Sequence, residues 1–342
     1  MKQITITESD AGQRLDKLLA RYMRKAPKSF LYKMLRKKNI TLNGKKAEGK
    51  ELLQPGDQVK LFLSDETYEK FGGILHDETA NFSSTALQYG AVPVLVPGEQ
   101  PPEIIYQDEH ILLFNKPAGM LSQKAAAEDV SLVEYLNAYL LSSGAMSREQ
   151  MQLVHPAVCN RLDRNTSGLV AAGLSLAGLQ TMNRLIRERK IRKFYRCIVC
   201  GKMYGSSHLH GYLEKDSRTN TVHVSDTPSD NTKPIETEYR VLAQSNDLTL
   251  LEVHLITGRS HQIRAHLASM GHPILGDGKY GDMGINRTFA RSHGVSCQLL
   301  HACRLEFPEI DGPLSYLSGK VFYAPVPELF HLVMPEQSGG RI

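Results

Sequence analysis

From residue 103 onward, short apolar runs of strand type interleave with stretches of helical periodicity, and this mixture constrains the fold more than any other feature of the chain. Ile104-Ile105 and Ile111 to Phe114 predict two strands that end at the turn Asn115-Lys116-Pro117-Ala118-Gly119. Leu132 to Leu141 predicts a helix, and Leu169 to Gly173 a buried strand. Ser175 is placed to cap a helix that buries Leu179, Met182 and Ile186 and turns Arg184, Arg187, Arg189 and Lys190 to solvent. Phe194 to Cys200 alternates as a sheet strand, and Tyr239 to Leu242, Leu248 to Leu255 and Gln298 to Leu305 predict further strands, whereas the polar residues 202 to 233 read as loop. Strands and helices mix without strict βαβ repetition, so the expected class is α+β.

With 342 residues the chain has room for about two domains. Its 41% hydrophobic and 23% charged residues exclude a disordered or fibrous protein. No apolar run approaches the ~20 residues of a membrane helix, and no apolar leader follows Met1, so a cytoplasmic chain without a membrane partner is expected. Cys159, Cys197, Cys200, Cys297 and Cys303 are an odd set in a large chain, which suits reduced thiols.

Charge is unevenly spread. Residues 13 to 60 hold 14 Lys and Arg against 4 Asp and Glu, a surplus of +10 in a chain whose net charge is +5. A cationic segment inside an otherwise acidic chain points to a polyanion, because neutralising phosphates supplies much of nucleic-acid affinity. Leu15, Leu18, Leu19 and Tyr22 recur at helical spacing, and Ser29 is placed to cap a second helix with Leu31, Met34 and Leu35 on its core face. Lys33, Arg36 and Lys37 form a cationic stripe on another face of that helix. Asn43-Gly44 predicts a hairpin after Ile40 and Leu42, and Gln54-Pro55-Gly56-Asp57 turns into a strand through Val59, Leu61 and Leu63. With Arg14-Leu15-Asp16 at its start and Pro55 to Val59 at its end, this unit resembles the alpha-L RNA-binding motif. The expected organisation is an RNA-binding domain over 1–63, a linker or insertion over 64–100, a catalytic domain over 101–330 and a tail over 331–342.

Two stretches carry chemistry. In Asn160-Arg161-Leu162-Asp163-Arg164-Asn165-Thr166-Ser167-Gly168 one carboxylate lies between two arginines. A cation within about 4–6 Å favours an ionised carboxylate, as a nucleophile or base requires. The plainer alternative is an aspartate capping its own turn through the amide of Asn165 or Thr166. In Leu255 to Asp277 a strand and a Gly258 turn lead into a helix over Ser260 to Met270, closed by Gly271. His261 and Arg264 share one face of it, and Arg264 is placed to meet Asp163 in a bidentate pair.

Together these stretches resemble the RluA family of pseudouridine synthases. The resemblance rests on Arg161-Leu162-Asp163, on Lys193-Phe194-Tyr195, on Gly258 to Arg264 and on the Asn115 to Gly119 turn. It implies a catalytic domain with a mainly antiparallel mixed sheet flanked by helices. The implied reaction isomerises uridine to pseudouridine in structured RNA, with ribosomal RNA of the large subunit as the expected substrate. Asp163, Tyr195 and Arg264 are then the expected catalytic residues, with Arg161, Arg164, Arg259, His261, Lys33, Arg36 and Lys37 as RNA contacts. Asn160 departs from a family pattern that often has His there, which bears on substrate contacts. The reaction needs no redox partner, so no cofactor and no metal are expected, turnover should survive chelators, and a monomer is expected. A catalytically silent RNA-binding protein of the same fold is the alternative, opposed by the presence of Asp163, Tyr195 and Arg264.

Three sharper-looking signals carry less. Gly276 to Gly281 fits G-x-G-x-x-G but lacks the βαβ setting and the later acidic residue of a dinucleotide site. Cys197 and Cys200 lie in an alternating strand that sends their thiols to opposite faces, which argues against a joint metal or redox role. The spacing of His261, His266 and His272 does not suit two metal ligands on one helix face.

Overall fold

The computed structural model describes residues 2–6, 11–64 apart from 24, 66–67, 71, and 101–335 apart from 127, 217, 218, 220 and 246. The expected linker over 64–100 lies almost wholly outside the described residues.

The N-terminal part consists of β1 (Lys2–Thr5), α1 (Leu15–Tyr22), α2 (Lys28–Arg36), β2 (Ile40–Leu42), β3 (Lys45–Lys46) and β4 (Gln58–Leu61). The strands pair antiparallel in the order β1-β4-β2-β3. Leu15, Leu18 and Leu19 of α1 and Leu31, Met34 and Leu35 of α2 close over Ile40, Val59 and Leu61 as a separate apolar core. The β2–β3 turn is the Asn-Gly type, since Asn43 and Gly44 both take positive φ, 51° and 73°. The second helix begins at Lys28 behind Pro27, so Ser29 lies inside its first turn and caps nothing. Lys33, Arg36 and Lys37 are exposed along that helix and just past its end.

The larger part runs through β5 (Glu103–Gln107), β6 (Ile111–Lys116), α3 (Leu132–Ser142), α4 (Arg148–Val154), β7 (Ala157–Val158), β8 (Ser167–Gly173), α5 (Leu176–Arg187), β9 (Arg192–Cys200), β10 (Ser206–Asp216), β11 (Thr221–Ser225), β12 (Thr232–Ser245), β13 (Leu248–Leu255), α6 (Gln262–Ser269), α7 (Met283–His293), β14 (Leu300–Glu306), β15 (Val321–Tyr323) and α8 (Glu328–Val333). Among the described residues its strands form one sheet in the order β11-β10-β12-β13-β9-β14-β8-β6-β5, with β15 on β14 and β7 on β8. All these pairs are antiparallel except β8 with β14. The α+β class therefore holds. Residues 206–216 and 221–225, read from sequence within a polar loop, pair instead as a hairpin at the sheet edge. Their outward residues are polar because only one face of that edge is covered, which hid the alternation.

The alternation of side chains places the site. On β6 and β8, Leu112, Phe114, Val170 and Ala172 face one core, while Ile111, Leu113, Leu169 and Ala171 face another. The first core is covered by α3, through Leu132, Leu136 and Leu140, and by α6, through Ile263 and Leu267. The second is covered by Met182 and Leu185 of α5. Full burial of each such side chain contributes about 1.5–3 kcal/mol. Leu162 and Tyr195 belong to the first core, which fixes the face on which the Asp163 loop lies. Cys197 and Cys200 point into different cores, and burial raises both thiol pKa values, that of Cys200 to about 11.

Candidate active site

The Asp163 loop leaves β7 and enters β8, and the segment 116–122 holds it in place. Buried Lys116 donates from Nζ to the carbonyl oxygens of Pro117 (2.9 Å), Met120 (2.8 Å) and Arg164 (3.0 Å). Burial pushes its ammonium down to about 7, with the charges of Asp163 and Cys297 acting the other way. Gly119 N–H donates to the Arg164 carbonyl at 3.0 Å, and Arg164 Nε donates to the Gly119 carbonyl at 2.9 Å. Ser122 Oγ donates to Leu162 O at 2.9 Å and accepts from Leu162 N at 3.0 Å. The turn that looked like punctuation in the sequence is thus a clamp on both neighbours of Asp163.

Beyond the loop, Gly168 sits at φ 111°, and a Cβ there would lie 2.3 Å from the Ala302 carbonyl oxygen. Only glycine permits β8 to approach β14 so closely. Asn160 faces inward: its Oδ1 accepts from Ala171 N at 2.8 Å and its Nδ2 donates to Leu169 O at 3.3 Å. The departure at Asn160 therefore serves the backbone of β8.

The Asp163 side chain, 28% exposed, receives a 2.8 Å hydrogen bond from Arg264 Nη1, a guanidinium only 6% exposed. The bond joins segments 101 residues apart. The Thr166 amide donates to the backbone oxygen of Asp163, so the side chain is not spent as a cap. The bidentate pair expected between Arg264 and Asp163 is not formed: Asp163 takes a single bond, and Arg264 spends its paired nitrogens on Asp277. Arg264 Nε donates to Asp277 Oδ2 at 2.6 Å and Nη2 to Oδ1 at 2.8 Å, while Asp163 receives the remaining arm. Burial opposes charge on Arg264, yet the bonds to Asp277 and Asp163 more than offset it and raise its pKa. Burial likewise works against the Asp277 carboxylate, and Arg264 with the amides of Lys279 and Tyr280 holds its pKa below the usual range. Asp277 sits in the glycine pattern that sequence reasoning set aside, and its partner 13 residues away becomes visible only in the folded chain.

The helix α6 starts two residues later than expected, and His261 precedes it in the left-handed region at φ 55°. This bend sets its Nε2 3.9 Å from Asp163 Oδ2. The Tyr280 hydroxyl lies 2.9 Å from His261 Nδ1 and accepts from Val222 N at 2.9 Å, which fixes the direction of the imidazole ring. Burial, followed by opposing contributions from Asp163 and Arg264, lowers the His261 pKa.

Tyr195 lies on β9 opposite Ala302, buried, and burial followed by the charge of Asp163 raises its phenol pKa. Lys193, on the same face, is pushed down by burial, with the charge of Arg189 adding to it. The geometry therefore gathers Asp163, Tyr195, His261 and Arg264 and adds Lys116, Asp277 and Tyr280. Arg161 is exposed and Arg164 is turned to Gly119, so neither is the ionic partner that the sequence suggested for Asp163. Arg259 is half-buried with Nε unpartnered among the described residues. Lys33, Arg36 and Lys37 belong to the separate N-terminal part.

Comparison with known proteins gives the family of the chain. The RNA pseudouridylate synthase family matches residues 110–269, and the S4 domain matches residues 13–59. A protein of Vibrio parahaemolyticus described as ribosomal large subunit pseudouridine synthase C is 30% identical over 93% of this chain and 94% of its own length. The chain belongs to the RNA pseudouridylate synthase family. The Escherichia coli protein of the same description is 30% identical over 90% of this chain and 88% of its own. Human RNA Pseudouridylate Synthase Domain Containing 4 shares the fold, with a TM-score of 0.52 at 22% identity over 66% of this chain and 89% of that one. As a pseudouridylate synthase the chain is an isomerase that acts on RNA, and the S4 domain accounts for its basic N-terminal part. Among the described residues no helix is long and apolar enough to cross a membrane.

Proposed function

We propose that this synthase acts on uridine in large-subunit ribosomal RNA and that Asp163 is the group that touches the reacting nucleoside. The substrate class rests on the two relatives described as ribosomal large subunit synthases and on the S4 domain. The observation that carries the site is the 2.8 Å bond between Arg264 Nη1 and Asp163 Oδ2, which aims one partly exposed carboxylate from a buried guanidinium.

The isomerisation breaks the bond from the sugar C1′ to N1 and forms one from C1′ to C5. The C5 proton leaves and N1 gains one, so electrons balance without a co-reactant. The target base is swung out of its stack at a cost of a few kcal/mol. Asp163 meets the exposed nucleoside at the sugar, at the base, or as acceptor of a ribose proton. Arg264, itself anchored by Asp277, fixes the direction of that carboxylate. Tyr195 has a raised pKa and stays a phenol, so it offers a stacking surface and a proton donor rather than a phenolate base. Exposed Arg161 suits the gap left in the RNA stack, since its flat guanidinium stacks on bases. Arg164, Arg259 and His261 are assigned to RNA contact around Asp163, and exposed Lys33, Arg36 and Lys37 of the S4 domain to contact with the RNA backbone.

The test is release of tritium from RNA labelled at C5 of uridine. Asp163→Asn should abolish release while RNA binding by filter retention stays within about twofold. Retained turnover excludes Asp163 as the reacting group.

A further inference from the structure

On the opposite side of the sheet from Asp163, the strands β10 and β12 collect two histidines and a glutamate. Leu209 packs towards the core that contains Tyr195 and Leu162, so the period-2 alternation turns His208 and His210 to the other face. In the antiparallel register His210 stands opposite Glu236 and His208 opposite Glu238. The two imidazole centroids are 4.1 Å apart, and His208 Nε2 lies 3.7 Å from Glu236 Oε2. One ligand atom from each of His208, His210 and Glu236 lies within 4.8 Å of the other two.

We infer that His208, His210 and Glu236 form a binding site for a divalent transition metal, zinc foremost. Two imidazoles and a carboxylate are a donor set of the class that takes zinc, with three protein ligands and a fourth position left to water. Tetrahedral bonds of about 2.0–2.1 Å place the donors roughly 3.4 Å apart. Closing from the observed spread takes about an ångström of side-chain movement. His208 and His210 are exposed, which leaves their rings room to turn.

The neighbouring side chains supply a second, independent argument. His208 Nδ1 is 3.7 Å from Glu238 Oε1, and the other oxygen of Glu238 lies 2.9 Å from His254 Nδ1. With the metal on Nε2, the far nitrogen of His208 faces a carboxylate that is itself held. Metal-bound histidines need that support to fix tautomer and ring direction. Such a cation ties β10 to β12 across their exposed face. It also pins the residue whose backbone holds the entrance to α6: Glu236 N donates to Thr257 Oγ1 at 2.9 Å, and Gln262 Nε2 donates to Glu236 O at 2.9 Å. The site stands apart from the reacting centre, so its role is to stiffen the sheet edge.

The experiment uses the full chain, stripped of metal by chelator dialysis and titrated with zinc alone in a calorimeter. One equivalent should bind, with an upward shift of the melting temperature. His208→Asn and His210→Asn should each weaken binding at least tenfold, as should Glu238→Gln through loss of orientation. Cobalt in place of zinc should give a visible absorption band that the double histidine variant lacks. Melting of the metal-free variants reports whether they fold, and these exposed positions should leave it unchanged. Absence of stoichiometric binding overturns the inference. So does equal affinity in the folded double variant, which would assign the metal to the free thiols.

Discussion

At the scale of single residues, the site is a guanidinium shared between two carboxylates of unequal exposure. Asp277 is fully buried and takes two arms of Arg264, whereas Asp163 takes one and keeps 28% of its side chain open. The division suits a structural anchor on one side and a reactive group on the other. Asp277→Asn should therefore lower kcat more than tenfold with KM for RNA little changed, because it loosens the arm that aims Asp163. Breaking one side of a buried pair should also cost about 3 kcal/mol of stability, read as a lower urea midpoint. An unchanged kcat in a folded variant would remove Asp277 from the positioning machinery. The sequence made Asp163 and Arg264 legible because each lies in a stretch of unusual chemistry, an aspartate among arginines and a helix that begins with His and Arg. Asp277 stayed hidden because its neighbours are glycines that suggest a phosphate loop. Asn160 was legible as a departure but not as a backbone ligand, since its partners lie on β8.

At the scale of elements, helices were legible where one apolar face dominates, as in α1, and buried strands where both faces are apolar, as in β8. The edge hairpin β10–β11 was not, because its outward residues are polar and its register depends on β12. The segment 116–122 shows how a turn acquires a role from what it reaches: Lys116 uses its three donors on three carbonyls, one of them in the Asp163 loop. The stripe on α2 was legible from spacing alone, and its lysines and arginine are exposed. Replacing Lys33, Arg36 and Lys37 together by Gln should reduce the slope of log K against log salt by about 2–3, at roughly 0.7–0.9 per phosphate contact. Tritium release at saturating RNA should be unaffected. A slope equal to that of the parent would show that α2 does not face the RNA.

At the scale of the whole molecule, the two faces of the large sheet divide the labour between holding and reacting. Stability of the larger part carries a pH signature at His301, which is buried between β8 and α8, with Nδ1 2.9 Å from Ser167 Oγ. Burial lowers its pKa from 6.5 to about 4, outweighing the Ala324 carbonyl that acts the other way. The folded pKa lies below the unfolded one, so the neutral ring's contribution is complete above pH 6.5 and is lost as pH falls from 6.5 through 4. The full loss is about 3 kcal/mol. Urea midpoints at pH 7 and pH 4.5 should therefore converge in His301→Gln relative to the parent, and an equal drop in both proteins would contradict this. The buried residues of the small N-terminal core all lie between 4 and 61, while the carboxylate loop waits for Ala302 to slide beneath Gly168. Synthesis delivers these parts in that order. A nascent chain acquires its grip on nucleic acid more than 200 residues before it acquires any chemistry, so capture of a growing transcript need not wait for a finished enzyme.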